Sequence, residues 1–216
     1  LKHDLHVLQA GVLVGRRTFG NIMKYIMMGT SSNFGNMFSM AGAALFLPFL
    51  PMLPTQILLN NILYDISETP IPLDEVDAVD IRTPRVLDLD FIRNFMLVIG
   101  PISSLFDFLT FYVMLVVLQA NERLFQTGWF VESLCTQVLV IFIIRTRGSP
   151  LKSRPHPLLV ATSLAIVAIA AALPFTPLGA YFGFVPPPAE FYAILGGMVV
   201  VYLCIVEAAK RSFYRW

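Results

Sequence analysis

Six mostly apolar stretches, each close to the length a helix needs to cross a bilayer, govern what this chain can become. They cover residues 25–47, 51–73, 95–118, 128–144, 158–178 and 189–209. The expected fold is all-α: a polytopic bundle of six transmembrane helices, with residues 1–24 as a polar leader ahead of it. Composition agrees with that reading. The chain is 56% hydrophobic and only 13% charged, whereas soluble domains carry roughly 25% charged residues. A water-soluble domain of 216 residues could not cover that much apolar surface. The first partner implied is the lipid bilayer. A net charge of +1 provides no dense basic face, which argues against nucleic acid.

Prolines punctuate the spans. Pro48 and Pro51 mark a tight turn between the first two, and Pro174, Pro177 and the run Pro186, Pro187, Pro188 bracket the last turn. An even number of spans places both termini on one side. That side then carries fourteen of the fifteen basic residues, and the other only Arg123. The excess of Lys and Arg makes the basic face cytoplasmic. Tyr25, Trp129, Tyr181, Tyr214 and Trp216 fall where aromatic rings prefer the interface.

Cysteine and histidine say little. Cys135 and Cys204 are isolated within apolar stretches and read as packing thiols. His3 and His6 lie in the polar leader and His156 between two prolines, without metal-ligand spacing. The chain begins at Leu1 with no signal-peptide pattern, so sequence upstream is expected to be missing.

The information lies in the polar groups inside the spans. Asn33 and Asn36 share one face of the first span, three residues apart. Ser31, Gly35 and Ser39 form a small-residue stripe suited to close helix packing. In the second span Asn61 and Asp65 are four apart and share a face, and Pro70 and Pro72 should break the helix beyond them. Broken helices near charged groups free backbone carbonyls for ion sites. Counted from the span ends, Asn33 and Asp65 both lie about 12 Å deep, and Asn36 and Asn61 about 16–18 Å. Two short-connected antiparallel spans would let the four side chains meet at one level. Either the asparagines merely hydrogen-bond across helices, or the four together hold an ion; groups so costly in a bilayer are usually functional. One carboxylate plus amide oxygens suits Mg2+, a hard cation that keeps several waters. The absence of thiolate or imidazole nearby disfavours zinc or copper.

Other embedded acids compete. Asp107, with Ser103, Ser104 and Thr110 on its face, reads as a structural polar network or as a group near the path. Glu132, about 18 Å from its helix end, reads as an auxiliary ligand or proton carrier. Glu207 precedes Lys210 and Arg211 and reads as an interfacial ion pair, whereas Glu68 stays unassigned.

The run from Gly15 to Tyr25, followed by Ser31-Ser32-Asn33-Phe34-Gly35-Asn36, resembles the stalk and fifth membrane helix of P-type ATPases. Pro48-Phe49-Leu50-Pro51 and Asn60-Asn61-Ile62-Leu63-Tyr64-Asp65 narrow the likeness to the bacterial magnesium-importing subfamily. Gly100-Pro101-Ile102-Ser103-Ser104, Gly128-Trp129-Phe130-Val131-Glu132 and Pro174-Phe175-Thr176-Pro177 extend it over nearly the whole chain. The resemblance implies that the spans are membrane helices five to ten, in a bacterial inner membrane. It implies that Asn33, Asn36, Asn61 and Asp65 match cation-site positions, with Asn36 where calcium pumps have Glu. It also implies ATP as energy source, bound by an N-terminal half whose phosphorylation, dephosphorylation and metal motifs do not occur in these residues. The expected role is the ion-binding half of a pump. The alternatives are a stand-alone scaffold or subunit descended from one, or another cation-transporting P-type ATPase, with a secondary carrier or channel the weakest.

Overall fold

The computed structural model describes residues 5–215; Lys2, His3 and Trp216, which entered the sequence argument, lie outside the described residues. Among the described residues all regular structure is helical. The leader and the first span lie in one uninterrupted helix, α1 (Leu5–Ala43). Nothing between residues 15 and 43 stops a helix: no proline occurs, and the five glycines, Gly15, Gly20, Gly29, Gly35 and Gly42, are isolated from one another. A turn with Met52 buried leads into α2 (Pro54–Glu68), which Pro54 starts at its first position. Gln56 fixes that start: its Oε1 accepts from the Leu53 amide at 3.0 Å and its Nε2 donates to the Phe182 carbonyl at 2.9 Å. As expected from Pro70 and Pro72, α2 ends at Glu68 and gives way to a 3-10 turn over Ile71–Leu73. A short loop helix, α3 (Ala78–Arg82), packs on the early part of α1, where Arg16 donates to the Ile81 and Arg82 carbonyls at 3.0 and 3.1 Å.

Next come α4 (Leu89–Tyr112), capped by Asp88 and finished by a π turn over Val113–Val117, and α5 (Glu122–Leu139), capped by Asn121. The one-turn α6 (Ile141–Ile144) prolongs α5. Then follow α7 (Pro157–Ala172), the short α8 (Pro177–Tyr181) and α9 (Ala189–Phe213). The span expected at 158–178 therefore ends near Phe175, and Pro177 begins a separate helix.

Four of these segments are long and apolar enough to cross a membrane: Leu89–Val117, Glu122–Ile144, Pro157–Phe175 and Ala189–Phe213. The first two expected spans do not reach that standard, each for its own reason. The α1 helix has the length, but Asn33, Asn36 and five Ser, Thr and Gly residues from Gly29 to Gly35 dilute its hydropathy. The α2 helix has only 15 residues, about 22 Å at 1.5 Å per residue, against a hydrocarbon core near 30 Å.

Helix α5 is the centre of the bundle. Every residue from Phe125 to Val138 is buried, and the helix packs on α2, α4, α7 and α9. Helix α1 lies along α4 through the stripe seen in the sequence: Ser31, Gly35 and Ser39 are all buried. A Cβ on Gly35 would sit 3.2 Å from the Gly100 carbonyl oxygen and from Ser103 Cβ. The absent side chain lets Ser104 Oγ reach the Gly35 carbonyl at 2.9 Å. Helix α2 packs instead on α5 and α7, so the faces of α1 and α2 diverge and leave clefts between them.

At the stalk end a buried ion network joins four segments. Asp74 accepts from Lys24 at 2.8 Å, from Arg145 through two guanidinium nitrogens and from the His156 amide at 3.1 Å. Asn21 holds the same loop through the Pro72 and Asp74 carbonyls, both at 3.1 Å. His156 also caps α7 through Nδ1, which accepts from the Leu158 amide. Nearby, Arg147 pairs with Asp80 at 3.1 Å and lies 4.8 Å from the Tyr214 ring centre. Burial pushes the Asp80 carboxyl above its ordinary range, with Arg147 opposing the shift.

Candidate functional site

The four sequence-predicted residues line two clefts along α1 and α2. Asn33, Asn36 and Asn61 line a cleft of about 630 Å3 between α1 and α2, floored by Met52, Trp129 and Ser133. Asp65 lines a different cleft, of about 680 Å3, nearer the start of α1. The cause is the packing of α2. Its buried face runs through Gln56, Asn60, Leu63, Tyr64, Ser67 and Glu68, and Asn61 and Asp65 sit one position round from it, exposed on the cleft side.

Within the amide cleft Asn36 is half-buried and Asn33 exposed. Asn36 Oδ1 accepts from Ser133 Oγ at 3.2 Å, and Gln137 on the same face of α5 donates to Ser133. The cleft therefore has a hydrogen-bonded connection to the central helix. Sequence reasoning passed over Asn60. It lines the same cleft, is 2% exposed, and neither atom of its amide has a hydrogen-bond partner. Buried amides are rarely left so, and an unpaired one is costly. The signal that could have found it is its spacing from Gln56 and Tyr64, four residues on either side along one helix face. Tyr64 Oη lies 3.3 Å from Ser32 Oγ and links the two helices one turn farther on.

Asp107 and Glu132 belong elsewhere. Asp107 lies at the junction of α1, α4 and α5, 1% exposed, and accepts from Ser39 Oγ at 2.6 Å and Trp129 Nε1 at 2.8 Å. Of the two readings open in the sequence, the structural network is the one its partners describe. Those partners come from other helices, not from Ser103, Ser104 or Thr110. Trp129 is accordingly no interface aromatic; it is 1% exposed and held by Asp107. Tyr181, by contrast, is exposed, and Tyr25 half-exposed. Glu132 is buried beside Asp107, and no donor reaches either carboxyl oxygen.

Glu207 forms the expected ion pairs, 2.7 Å to both Lys210 and Arg211. The pair is not simply superficial, because Lys210 is fully buried and donates to the Ile143, Thr146 and Gly148 carbonyls at 2.9–3.0 Å. It caps the carbonyl end of α6, a position that favours a cation. Cys135 is buried and Cys204 exposed, both as free thiols. Among the described residues no three His, Cys, Asp or Glu side chains gather into a metal-holding group. Any cation bound between α1 and α2 would be held by amides, one or two carboxylates and water.

Comparison with known proteins adds a second line. Residues 49–212 match the family described as "Cation transporting ATPase, C-terminus". The chain is 46% identical over 220 residues to a "Magnesium-transporting ATPase, P-type 1" of Salmonella typhimurium strain LT2, covering 99% of this chain and 24% of that protein. It is 43% identical to the protein so described from strain 14028s, over 220 residues. A third, from Escherichia coli K12, is 42% identical over 221 residues, covering all of this chain and again 24% of the relative. The chain spans about a quarter of the length of these curated relatives.

Proposed function

The chain belongs to the cation-transporting ATPase C-terminal family, and we propose that it is the ion-binding membrane region of an ATP-driven Mg2+ transporter. The observation that supports this most is likeness over the whole chain, at 42–46% identity, to proteins described as magnesium-transporting ATPases. Its physical chemistry agrees. The clefts between α1 and α2 offer oxygen donors of low net charge, which suits a cation that keeps part of its water and must also leave. In this reading Asn33, Asn36 and Asn61 contribute amide oxygens, Asp65 the carboxylate, and Glu132 an auxiliary group behind the cleft. ATP is bound and hydrolysed by parts of the transporter outside these residues, and the chain alone turns over no ATP.

The reading includes six membrane crossings. The apolar part of α1 and the short α2 would make the first two, with the 3-10 turn and the Asp74 loop completing the passage of α2 to the basic face. Both ends of the chain then lie in the cytoplasm, across a bacterial inner membrane. A topology reporter fused after residue 215 that reads as external would overturn that orientation.

The functional test is Asp65→Asn, placed in the complete transporter. It keeps the side chain's shape and removes its charge, at a position exposed in the cleft rather than packed. Mg2+ uptake by cells that depend on the transporter should fall to background, with normal amounts of protein in the membrane. Normal uptake would remove Asp65 from the path.

A further inference from the structure

Lys210 and Tyr214, one turn apart at the end of α9, both hold the turn that follows α6. Lys210 does so through the Ile143, Thr146 and Gly148 carbonyls, and the Tyr214 ring centre lies 4.8 Å from the Arg147 guanidinium carbon. That turn holds the α3 loop in its own right. Asp77 precedes α3 without capping it through its side chain. Its carboxylate instead accepts from Thr146 Oγ1 at 2.9 Å and from the Arg147 amide at 2.7 Å. Asp80, within α3, pairs with Arg147 Nε at 3.1 Å. The α3 loop in turn meets the leader part of α1, where Arg16 donates to the Ile81 and Arg82 carbonyls. A continuous set of contacts thus runs from the end of α9 to the stalk. Tyr214 also reaches α1 directly: its Oη donates to Met27 Sδ at 3.9 Å, and Met27 is buried, six residues before Asn33.

Arg147 is the joint of this set and its least enclosed member. Its side chain is 28% exposed, against 2% for Arg145 in the Asp74 network. Asp80 is shared with Arg85, so the carboxylate alone does not fix where Arg147 sits. Aromatic faces supply the rest, from Tyr214 and, at 5.9 Å, from Phe91. A planar guanidinium can lie against a ring while its edge bonds a carboxylate. Helix α9 otherwise packs on α4, α5 and α6 rather than along α1. Helix α1 is unbroken from Leu5 to Ala43, so a shift of its leader is carried to the turns that line the clefts. Resting on the reading of this chain as part of an ATP-driven transporter, we propose that Tyr214 is a positioning residue for transport. It holds Arg147, and through it the α3 loop, against α1, so that movement of the stalk is passed to the cleft-lining turns instead of being absorbed in the loop.

The test measures Mg2+ moved per ATP hydrolysed by the complete transporter in proteoliposomes, with a Mg2+ indicator trapped inside. Tyr214→Leu should lower that ratio about two- to tenfold, the range of mutations that alter coupling between distant sites, at an unchanged unfolding midpoint. Tyr214→Phe keeps the ring over Arg147 and loses only the contact with Met27, so it should retain most of the ratio. Arg147→Lys keeps a charge for Asp80 but loses the stacking plane. It should lower the ratio as Tyr214→Leu does, and the double variant should fall no further. Should Tyr214→Leu fail to accumulate in the membrane, Arg147→Lys carries the test in its place. A ratio unaltered by whichever of the two is measured overturns the proposal. So does a Tyr214→Leu protein whose Mg2+ movement, ATP turnover and unfolding midpoint all fall together, because that is a structural role alone. A Phe variant as impaired as the Leu variant, or single effects that add in the double, overturns the route through Arg147. Failure of the underlying reading looks different: wild-type vesicles would then hydrolyse ATP without moving Mg2+. Failure of this inference alone leaves wild type and Tyr214→Leu moving Mg2+ at the same ratio.

Discussion

Asp107 and the α1–α2 clefts place polar groups inside the same bundle under opposite conditions. At the three-helix junction both Asp107 oxygens have donors, from Ser39 and from Trp129, and the surroundings are closed. In the clefts Asn60 and one oxygen of Glu68 are as deeply buried yet have no partner. The first arrangement orients helices; the second leaves donor atoms for something that comes and goes. A polar residue in an apolar helix is therefore ambiguous until its partners are known, and packing supplies them. Helix α1 meets α4 closely because Gly35 is small, whereas α2 turns toward α5 and α7 and leaves α1 partly unopposed.

The contrast is broken most forcefully at the satisfied groups. Asp74 neutralises Lys24 and Arg145 at the stalk end, with side-chain exposures of 7%, 2% and 0% for Lys24, Arg145 and Asp74. Asp74→Ala leaves two buried cations without a counter-charge, so it should cost about 3–5 kcal/mol or prevent accumulation altogether. Thermal unfolding in detergent measures this, and a loss under about 1 kcal/mol would show that the network contributes little beyond an exposed pair. The next effect in size is Trp129→Phe. It keeps an aromatic ring and removes the indole N–H from Asp107, and it should cost about 1.5–3 kcal/mol. An unchanged midpoint would mean that Asp107 is no structural anchor and would reopen its place near the path.

Much of this architecture was readable from sequence, and the unreadable part has a physical cause. The apolar runs located α4, α5, α7 and α9, because in each a hydrophobic stretch and a helix coincide. Pro70 and Pro72 located the end of α2, since a missing N–H is a local property. The stripe Ser31, Gly35, Ser39 located a packing face, although not its partner α4. Equal depth suggested that Asn33, Asn36, Asn61 and Asp65 converge. Depth is one coordinate, however, and the rotation and splay of α2 are set by tertiary contacts with α5 and α7. Trp129 looked like an interface residue because the span read from 128 put it at a helix end; α5 begins at Glu122, and Asp107, 22 residues earlier, was not legible as its partner.

On the unsatisfied side the expected stability effects are small and of opposite sign. Asn60→Leu removes a buried amide that has no partner and puts an apolar side chain of similar size in its place. Stability should hold or rise, by up to about 1 kcal/mol, because an unpaired buried polar group costs roughly 1–3 kcal/mol. Transport should nevertheless decline. A fall in the unfolding midpoint comparable to that of Trp129→Phe would place Asn60 with the structural groups and dissolve the distinction between the two regions.

The smallest effect is expected at Glu207→Gln, which tests whether a short ion pair at the rim resembles either region. Glu207 lies 2.7 Å from Lys210 and from Arg211, and distance alone would rank it with Asp74. The partners decide otherwise. Lys210 keeps three carbonyl acceptors, from Ile143, Thr146 and Gly148, whatever stands at position 207. Arg211 is more than half exposed and returns to water. Glutamine retains an oxygen for either donor, so no buried cation is stranded. The change should shift stability by less than about 1 kcal/mol, the range of exposed pairs, and leave Mg2+ uptake unaltered. If Glu207→Gln instead unfolds the protein as readily as Asp74→Ala, the carbonyls do not suffice to hold the Lys210 charge. The line between stranded and satisfied cations would then have to be drawn by counter-charge rather than by hydrogen bonds.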